Sequence, residues 1–247
     1  MLAPLLARGF EVHAASRGAA PCGAPPGVRW HRADLLAHDG PETLLAAVEP
    51  SHLLHLAWYA EHGLFWHSLE NLRWIAATIR LVHAFAERGG ERALLAGTCA
   101  EYDWGGSGPC REEITPLLPA TLYGTAKLAT HAVLEAAAGE LAIELACGRV
   151  FFLYGPGEQP GRLVASVSRG LVAGERVATS DGMQIRDFLH VTDVALAFVA
   201  MLDSGVTGAV NIGSGQRRRL LDVISATGEA AGRTDLLDIG ALPVRRD

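Results

Sequence analysis

The chain lacks several features that would have assigned it at once. No apolar run approaches the roughly 18 residues of a membrane span. The opening Met1-Leu2-Ala3-Pro4-Leu5-Leu6-Ala7-Arg8 has no basic region of the signal-peptide kind. No membrane partner is therefore expected. Basic residues are in the minority, 21 Lys and Arg against 27 Asp and Glu, for a net charge of −6. The one basic cluster, Arg217-Arg218-Arg219, reads as a solvated helix start, so no nucleic-acid partner is expected either. Cysteines are few, and Cys22, Cys99, Cys110 and Cys147 match no zinc spacing. Ten histidines form no ligand cluster in sequence, so no metal is expected. Reduced thiols and a cytoplasmic location are the default reading. Finally, no Gly-x-Gly-x-x-Gly or Gly-x-x-Gly-x-x-Gly opens a helix anywhere in the chain, although such a turn is what cradles a dinucleotide pyrophosphate.

What is present suits a globular α/β protein. The chain has 247 residues, 49% of them hydrophobic, and a mean hydropathy of +0.20. That is enough to bury a full core, as one large domain or one and a half. Short β runs at 11–16, 52–57, 92–97 and 142–152 alternate with helical stretches at 1–8, 42–48, 69–88 and 121–138. Such alternation predicts a doubly wound parallel sheet, with ligands beyond the carboxyl ends of its strands. After Phe152 the texture changes to the Gly/Pro-rich Tyr154-Gly155-Pro156-Gly157-Glu158-Gln159-Pro160-Gly161, then a helix at 162–173. A smaller C-terminal lobe is expected there.

The most informative short pattern is Tyr123-Gly124-Thr125-Ala126-Lys127, in an Ala/Leu-rich segment without proline. Residues four apart share one helical face, so phenol and ammonium can meet. A phenol titrates near pH ~10 and is a poor acid or base at neutrality. A lysine cation about 4 Å away favours the phenolate by up to roughly 4 kcal/mol at an effective dielectric of 20. That corresponds to as much as ~3 pH units before screening. The pair then suits proton transfer at a hydroxyl or carbonyl oxygen.

Several further segments follow in order. They are Leu54-His55-Leu56-Ala57, Gly97-Thr98-Cys99-Ala100-Glu101-Tyr102, Arg149-Val150-Phe151-Phe152-Leu153-Tyr154-Gly155-Pro156, Arg186-Asp187-Phe188-Leu189-His190-Val191-Thr192-Asp193-Val194 and Asn211-Ile212-Gly213-Ser214-Gly215. Together with the Tyr/Lys pattern, the chain resembles the extended short-chain dehydrogenase/reductase family, the NAD-dependent epimerase/dehydratases of nucleotide sugars, from residue 1 to about residue 225. The resemblance implies a Rossmann-like fold. Its dinucleotide-binding domain would cover 1–152, and 153–247 would be mainly a substrate lobe, with 186–200 returning to the Rossmann domain. It also sets the first eight residues at the end of the helix after the phosphate loop, so a truncated gene model or a fragment is expected.

Site roles follow from the same resemblance. Tyr123 and Lys127 are the catalytic pair, and both face the cofactor. The third catalytic position, a Ser or Thr in the family, falls on Cys99, with Thr98 one residue before. Arg17, just after the 11–16 run that matches the family's second strand, suits a 2′-phosphate and tilts the cofactor toward NADP over NAD. Asp34 and Leu35 match the pair near the adenine; Leu56 and Ala57 match the strand end passing the cofactor, and Phe151 lies near the nicotinamide. Substrate contacts fall on Glu101, Phe152, Arg162 and Arg186. The sugar 4,6-dehydratases carry Asp-Glu after the Ser/Thr. Here that pair is Ala100-Glu101, which removes the expected general acid. The expectation is thus a 4-ketoreductase or dehydrogenase acting on a nucleotide-activated 4-keto-6-deoxy sugar. A nucleotide-sugar 4-epimerase is the alternative, and a degenerate, non-catalytic nucleotide-binding protein is the reading from another class. A homodimer through the 69–88 and 123–138 helices is a family-level expectation.

Overall fold

A computed structural model describes residues 1–106 and 108–244. In chain order the elements are α1 Leu2–Ala7, β1 Val12–Ser16, β2 Val28–Arg32, α2 Gly40–Val48, β3 His52–His55, α3 Glu70–Ala86, β4 Arg92–Thr98, α4 Leu122–Ala137 and β5 Glu144–Val150. They continue with β6 Phe152–Tyr154, α5 Leu163–Val172, β7 Val177–Thr179, β8 Ile185–Arg186, β9 Phe188–His190, α6 Val191–Leu202, β10 Gly208–Ile212, β11 Arg218–Arg219, α7 Leu220–Ala231 and β12 Leu237–Ile239. The chain divides into two compact units, 1–150 with 195–212, and 151–194 with 213–247.

The first unit is built on a parallel sheet in the order β3, β4, β5, β10. Apart from Ala96, every residue of β4 from Arg92 to Thr98 is buried, the mark of a strand covered on both faces. In α3 the apolar positions Trp74, Ala77, Leu81, Val82 and Phe85 recur at helical spacing and face inward. One core cluster joins Leu45 of α2, Leu81, Val82 and Phe85 of α3, Leu134 of α4, Ala93 and Leu95 of β4, and Leu145 and Cys147 of β5. Each fully buried Leu, Val or Phe among them contributes about 1.5–3 kcal/mol. β1 and β2 form a separate parallel pair, Val12 opposite Val28 through Ser16 opposite Arg32.

The second unit has small sheets, β6 with β9, β8 with β11 and β7 with β12. Val167 and Leu171 of α5 pack with Ile224 of α7 in its own apolar cluster. Asp187 binds the turn after β10: its carboxylate accepts from Ser214 N, Ser214 Oγ and Gly215 N at 2.6–2.8 Å.

Three local expectations change. β2 was not anticipated, because Val28-Arg29-Trp30-His31-Arg32 carries two arginines and a histidine and follows a Pro/Gly stretch. The run at 142–152 is two strands, broken at Phe151. The strand expected to reach Ala57 ends at His55, which leaves Leu56 47% exposed. Arg219 belongs to β11 and caps α7 through Asp222, its backbone N–H and guanidinium both donating to that carboxylate. No helix among the described residues is long and apolar enough to cross a membrane.

Candidate active site

The site grows from the seam between β4 and α4. Thr121 caps α4, its hydroxyl accepting from Gly124 N at 3.1 Å. Tyr123 lies in the first turn of α4, its N–H donating to Trp66 O at 3.0 Å. The Tyr123 ring meets Phe65 edge-on at 4.8 Å and Trp66 at 5.8 Å between centroids. Gly124 is required by close approach: a Cβ there would lie 2.3 Å from Ala100 O. α4 is thereby pressed against the short 3-10 turn Cys99–Glu101 that follows β4. A second tie is Lys127 Nζ, which donates to Ala96 O in β4 at 2.9 Å.

Lys127 is the single lysine of the chain, against twenty arginines. It is 8% exposed, and its Nζ sits 4.0 Å from the centroid of Trp58. Burial pushes its pKa down to about 8, against the pull of Cys147 and Glu101. Trp58 is itself held, its Nε1 donating to Asn71 Oδ1 at 2.8 Å and its ring stacking on Trp74. Asn71, fully buried, donates in turn to Phe65 O and Ser68 O. The loop that touches Tyr123 and the ring that touches Lys127 thus share one anchor.

Thr98 ends β4, with its hydroxyl oxygen accepting from Ala100 N at 3.2 Å. Cys99 is buried, and its carbonyl accepts from Trp104 Nε1 at 3.0 Å. Thr98, Cys99, Tyr123 and Lys127 therefore all belong to the β4–α4 seam. Glu101, expected at the substrate, is instead enclosed at 0% exposure. Its Oε2 pairs with Arg149 Nε at 2.7 Å, and its Oε1 accepts from Thr98 N at 2.9 Å. Arg149 also donates to the Tyr102 hydroxyl, which donates to Asn211 Oδ1 at 2.7 Å. The carboxylate cannot leave Arg149 without stranding a buried charge. Its work is to fix the turn that carries Thr98 and Cys99.

Arg17 is exposed just beyond β1, and its carbonyl accepts from Arg32 Nε at 3.2 Å. Asp34 closes its own turn, accepting from Leu36 N at 3.0 Å. Leu35 is partly buried and packs on the core cluster. Leu56 and Ala57 lie just past the end of β3. Phe151, Phe152, Arg162 and Arg186 belong to the second unit. There Arg186 lies 5.2 Å from the Phe152 ring centroid, and Arg162 pairs with Glu158 at 3.8 Å. Sequence reasoning missed the Trp58 platform and the Asn71 anchor. The signal was an aromatic directly after the recognised Leu56-Ala57, read as strand end rather than as a ring for Lys127.

The fold and the seam define a Rossmann-like α/β class. The chain belongs to the NAD dependent epimerase/dehydratase family, whose model matches residues 1–213. It is 26% identical to UDP-glucuronic acid decarboxylase 1 of Xenopus tropicalis over 196 residues, 76% of this chain and 46% of that one. It is 29% identical to UDP-glucose 4-epimerase 4 of Oryza sativa subsp. japonica over 67% of this chain and 51% of that protein. The chain thus spans about half the length of these relatives. Among solved structures, the UDP-glucose 4-epimerase of Thermus thermophilus in complex with NAD superposes with a TM-score of 0.84 at 25% identity, covering 98% of this chain and 85% of that one. MoeE5 in complex with UDP-glucose and NAD gives 0.81 at 30% identity, over 97% and 80%.

Proposed function

We propose that this protein is an NAD(P)-dependent oxidoreductase acting at C4 of a nucleotide-activated 4-keto-6-deoxy sugar, as a 4-ketoreductase or dehydrogenase. The observation that carries the reading is the β4–α4 seam, which joins a half-buried phenol, a buried lysine cation and a hydroxyl-bearing turn. That donor set fits a nicotinamide cofactor. Lys127 offers a cation in a low-dielectric site, where it has most effect on a neighbouring phenol. Leu56 offers exposed apolar surface at a strand's carboxyl end, where such cofactors lie. Leu56, Ala57, Tyr123 and Lys127 would hold the nicotinamide half. Arg17 and Asp34 would hold the adenosine half, and exposed Arg17 favours NADP.

When bound, the nicotinamide supplies or accepts the hydride. Tyr123 holds or delivers the proton at the sugar C4 oxygen. Lys127 favours the phenolate form and so brings that proton transfer toward neutral pH. Thr98, or less effectively the Cys99 thiol, orients the same oxygen. Within the second unit taken by itself, Arg162 and Arg186 would offer guanidinium groups to a diphosphate.

The second reading, 4-epimerisation, uses the same residues and is favoured by the epimerases among the relatives. The experiment supplies a UDP- or dTDP-4-keto-6-deoxy sugar with C4-deuterated NADPH or NADH. Stoichiometric cofactor oxidation with deuterium at sugar C4 is the expected result. C4 inversion of a UDP-sugar without net cofactor oxidation would replace reductase by epimerase. Neither reaction, with reduced cofactor still bound, would mean a non-catalytic nucleotide-binding protein.

A further inference from the structure

A cavity of about 10 Å³ lies beside Lys127, with His55, Thr78, Gly97, His131 and Cys147 among its lining. That is the room of one water, which needs roughly 10–15 Å³ for its centre and two to four polar partners. One lining side chain has a ring nitrogen left over. His131 stands four residues after Lys127, on the same face of α4, and is 3% exposed. Its Nε2 is enclosed and has no hydrogen-bond partner among the described residues. Buried ring nitrogens are seldom left so. The other candidates on the wall are committed: His55 Nε2 lies 3.0 Å from Thr78 Oγ1, and Thr130 Oγ1 donates to Ala126 O at 2.7 Å. Lys127 spends one N–H on Ala96 O and faces Trp58. Its ammonium has three N–H groups to place.

We propose that His131 is a positioning residue for Lys127: its unprotonated Nε2 accepts, through one buried water, a further N–H of the Lys127 ammonium. The surrounding charges fit. Lys127 is faced by His55 from β3, Cys147 from β5 and Glu101 from the turn after β4. His131 is faced by Glu135 of its own helix, by Glu101 and by Arg149 of β5. Burial holds His131 below the ordinary imidazole range, so its ring is neutral at pH 7 and able to accept. Burial pushes His55 down to about 3 and Cys147 upward, so neither competes as an ion at neutral pH. The acceptor offsets part of the solvation that Lys127 lost on burial, and so keeps it a cation at neutral pH. The functional weight of this inference rests on the role proposed for Lys127, but its test does not.

Because Lys127 is the only lysine, ¹³C-lysine labelling of the full chain gives one side-chain spin system to titrate by NMR. The wild-type midpoint is expected at about 8. His131→Leu should lower it by about one unit, the scale of one lost hydrogen bond to a charge. His131→Gln, which keeps an acceptor, should lower it by less. An unmoved midpoint in folded His131→Leu, or an equal drop in both variants, overturns the proposal. If His131→Leu does not fold, the ¹⁵N shifts of the wild-type ring decide: unprotonated Nε2 supports it, protonated Nε2 overturns it. Neither measurement reads turnover. A shifted midpoint in a protein with no C4 chemistry would therefore refute the proposed function and leave this inference standing.

Discussion

Replacing Glu101 by Gln is a sharp test of how the turn after β4 is held. The change keeps the volume and removes only the charge. Arg149, 2% exposed, is then left as a buried cation whose Nε has lost its carboxylate at 2.7 Å. Breaking a buried pair from one side costs about 3–5 kcal/mol. Thr98 N, now bound to Glu101 Oε1 at 2.9 Å, can keep the amide oxygen, so that bond adds little. For a chain of this size each kcal/mol moves Tm by about 2–4 °C, so a fall of about 6–20 °C is expected. The double variant Glu101→Leu/Arg149→Leu removes both charges and should be less destabilised than Glu101→Gln alone, because no unpaired ion remains. Thermal unfolding followed by circular dichroism, with a urea titration as a second probe, gives both numbers. A Glu101→Gln protein within about 1 kcal/mol of wild type would refute the reasoning. If it also lost affinity for nucleotide sugar, Glu101 would be a substrate ligand after all.

Three other outcomes follow from the same geometry. His55 has its pKa pushed from 6.5 to about 3 by burial and by the Lys127 charge, so the folded state binds fewer protons than the unfolded one in that window. Its contribution is complete above about 6.5 and is lost as pH falls toward 3; His55→Gln should flatten the stability–pH slope between about pH 6.5 and 5, read by urea titration. Trp58→Leu removes the ring under Lys127, a contact worth about 2 kcal/mol when desolvated. It should lower kcat at least about tenfold, and Trp58→Phe, which keeps a π face, should lose less in steady-state assays. Gly124→Ala sets a Cβ 2.3 Å from Ala100 O; the α4 terminus must shift away from the turn, and a drop in both Tm and kcat is expected.

The sequence was most legible where one periodicity ruled a whole element. α3 and α4 lie within two residues of their expected ends, because apolar spacing and the Thr121 cap agree. β4 begins where the 92–97 run was expected and ends one residue later, at Thr98. β2 was illegible because Arg29, His31 and Arg32 mask a half-exposed strand whose partner, β1, is supplied by tertiary pairing. Within the site, Tyr123 and Lys127 were visible through their spacing on one helix. The enclosure of Glu101 was illegible for a physical reason: its neighbours in sequence say nothing of Arg149, 48 residues on, which closes over it. Trp58 and Asn71 act through contacts between separate elements, and no local pattern encodes those.

The central claim is that Tyr123 handles the proton at the sugar C4 oxygen. Single-turnover kinetics of Tyr123→Phe, with saturating cofactor and a nucleotide 4-keto sugar, test it most directly. A loss of roughly 10²–10⁴-fold in the chemical step with binding retained is the predicted result. Full turnover without the hydroxyl would contradict the account.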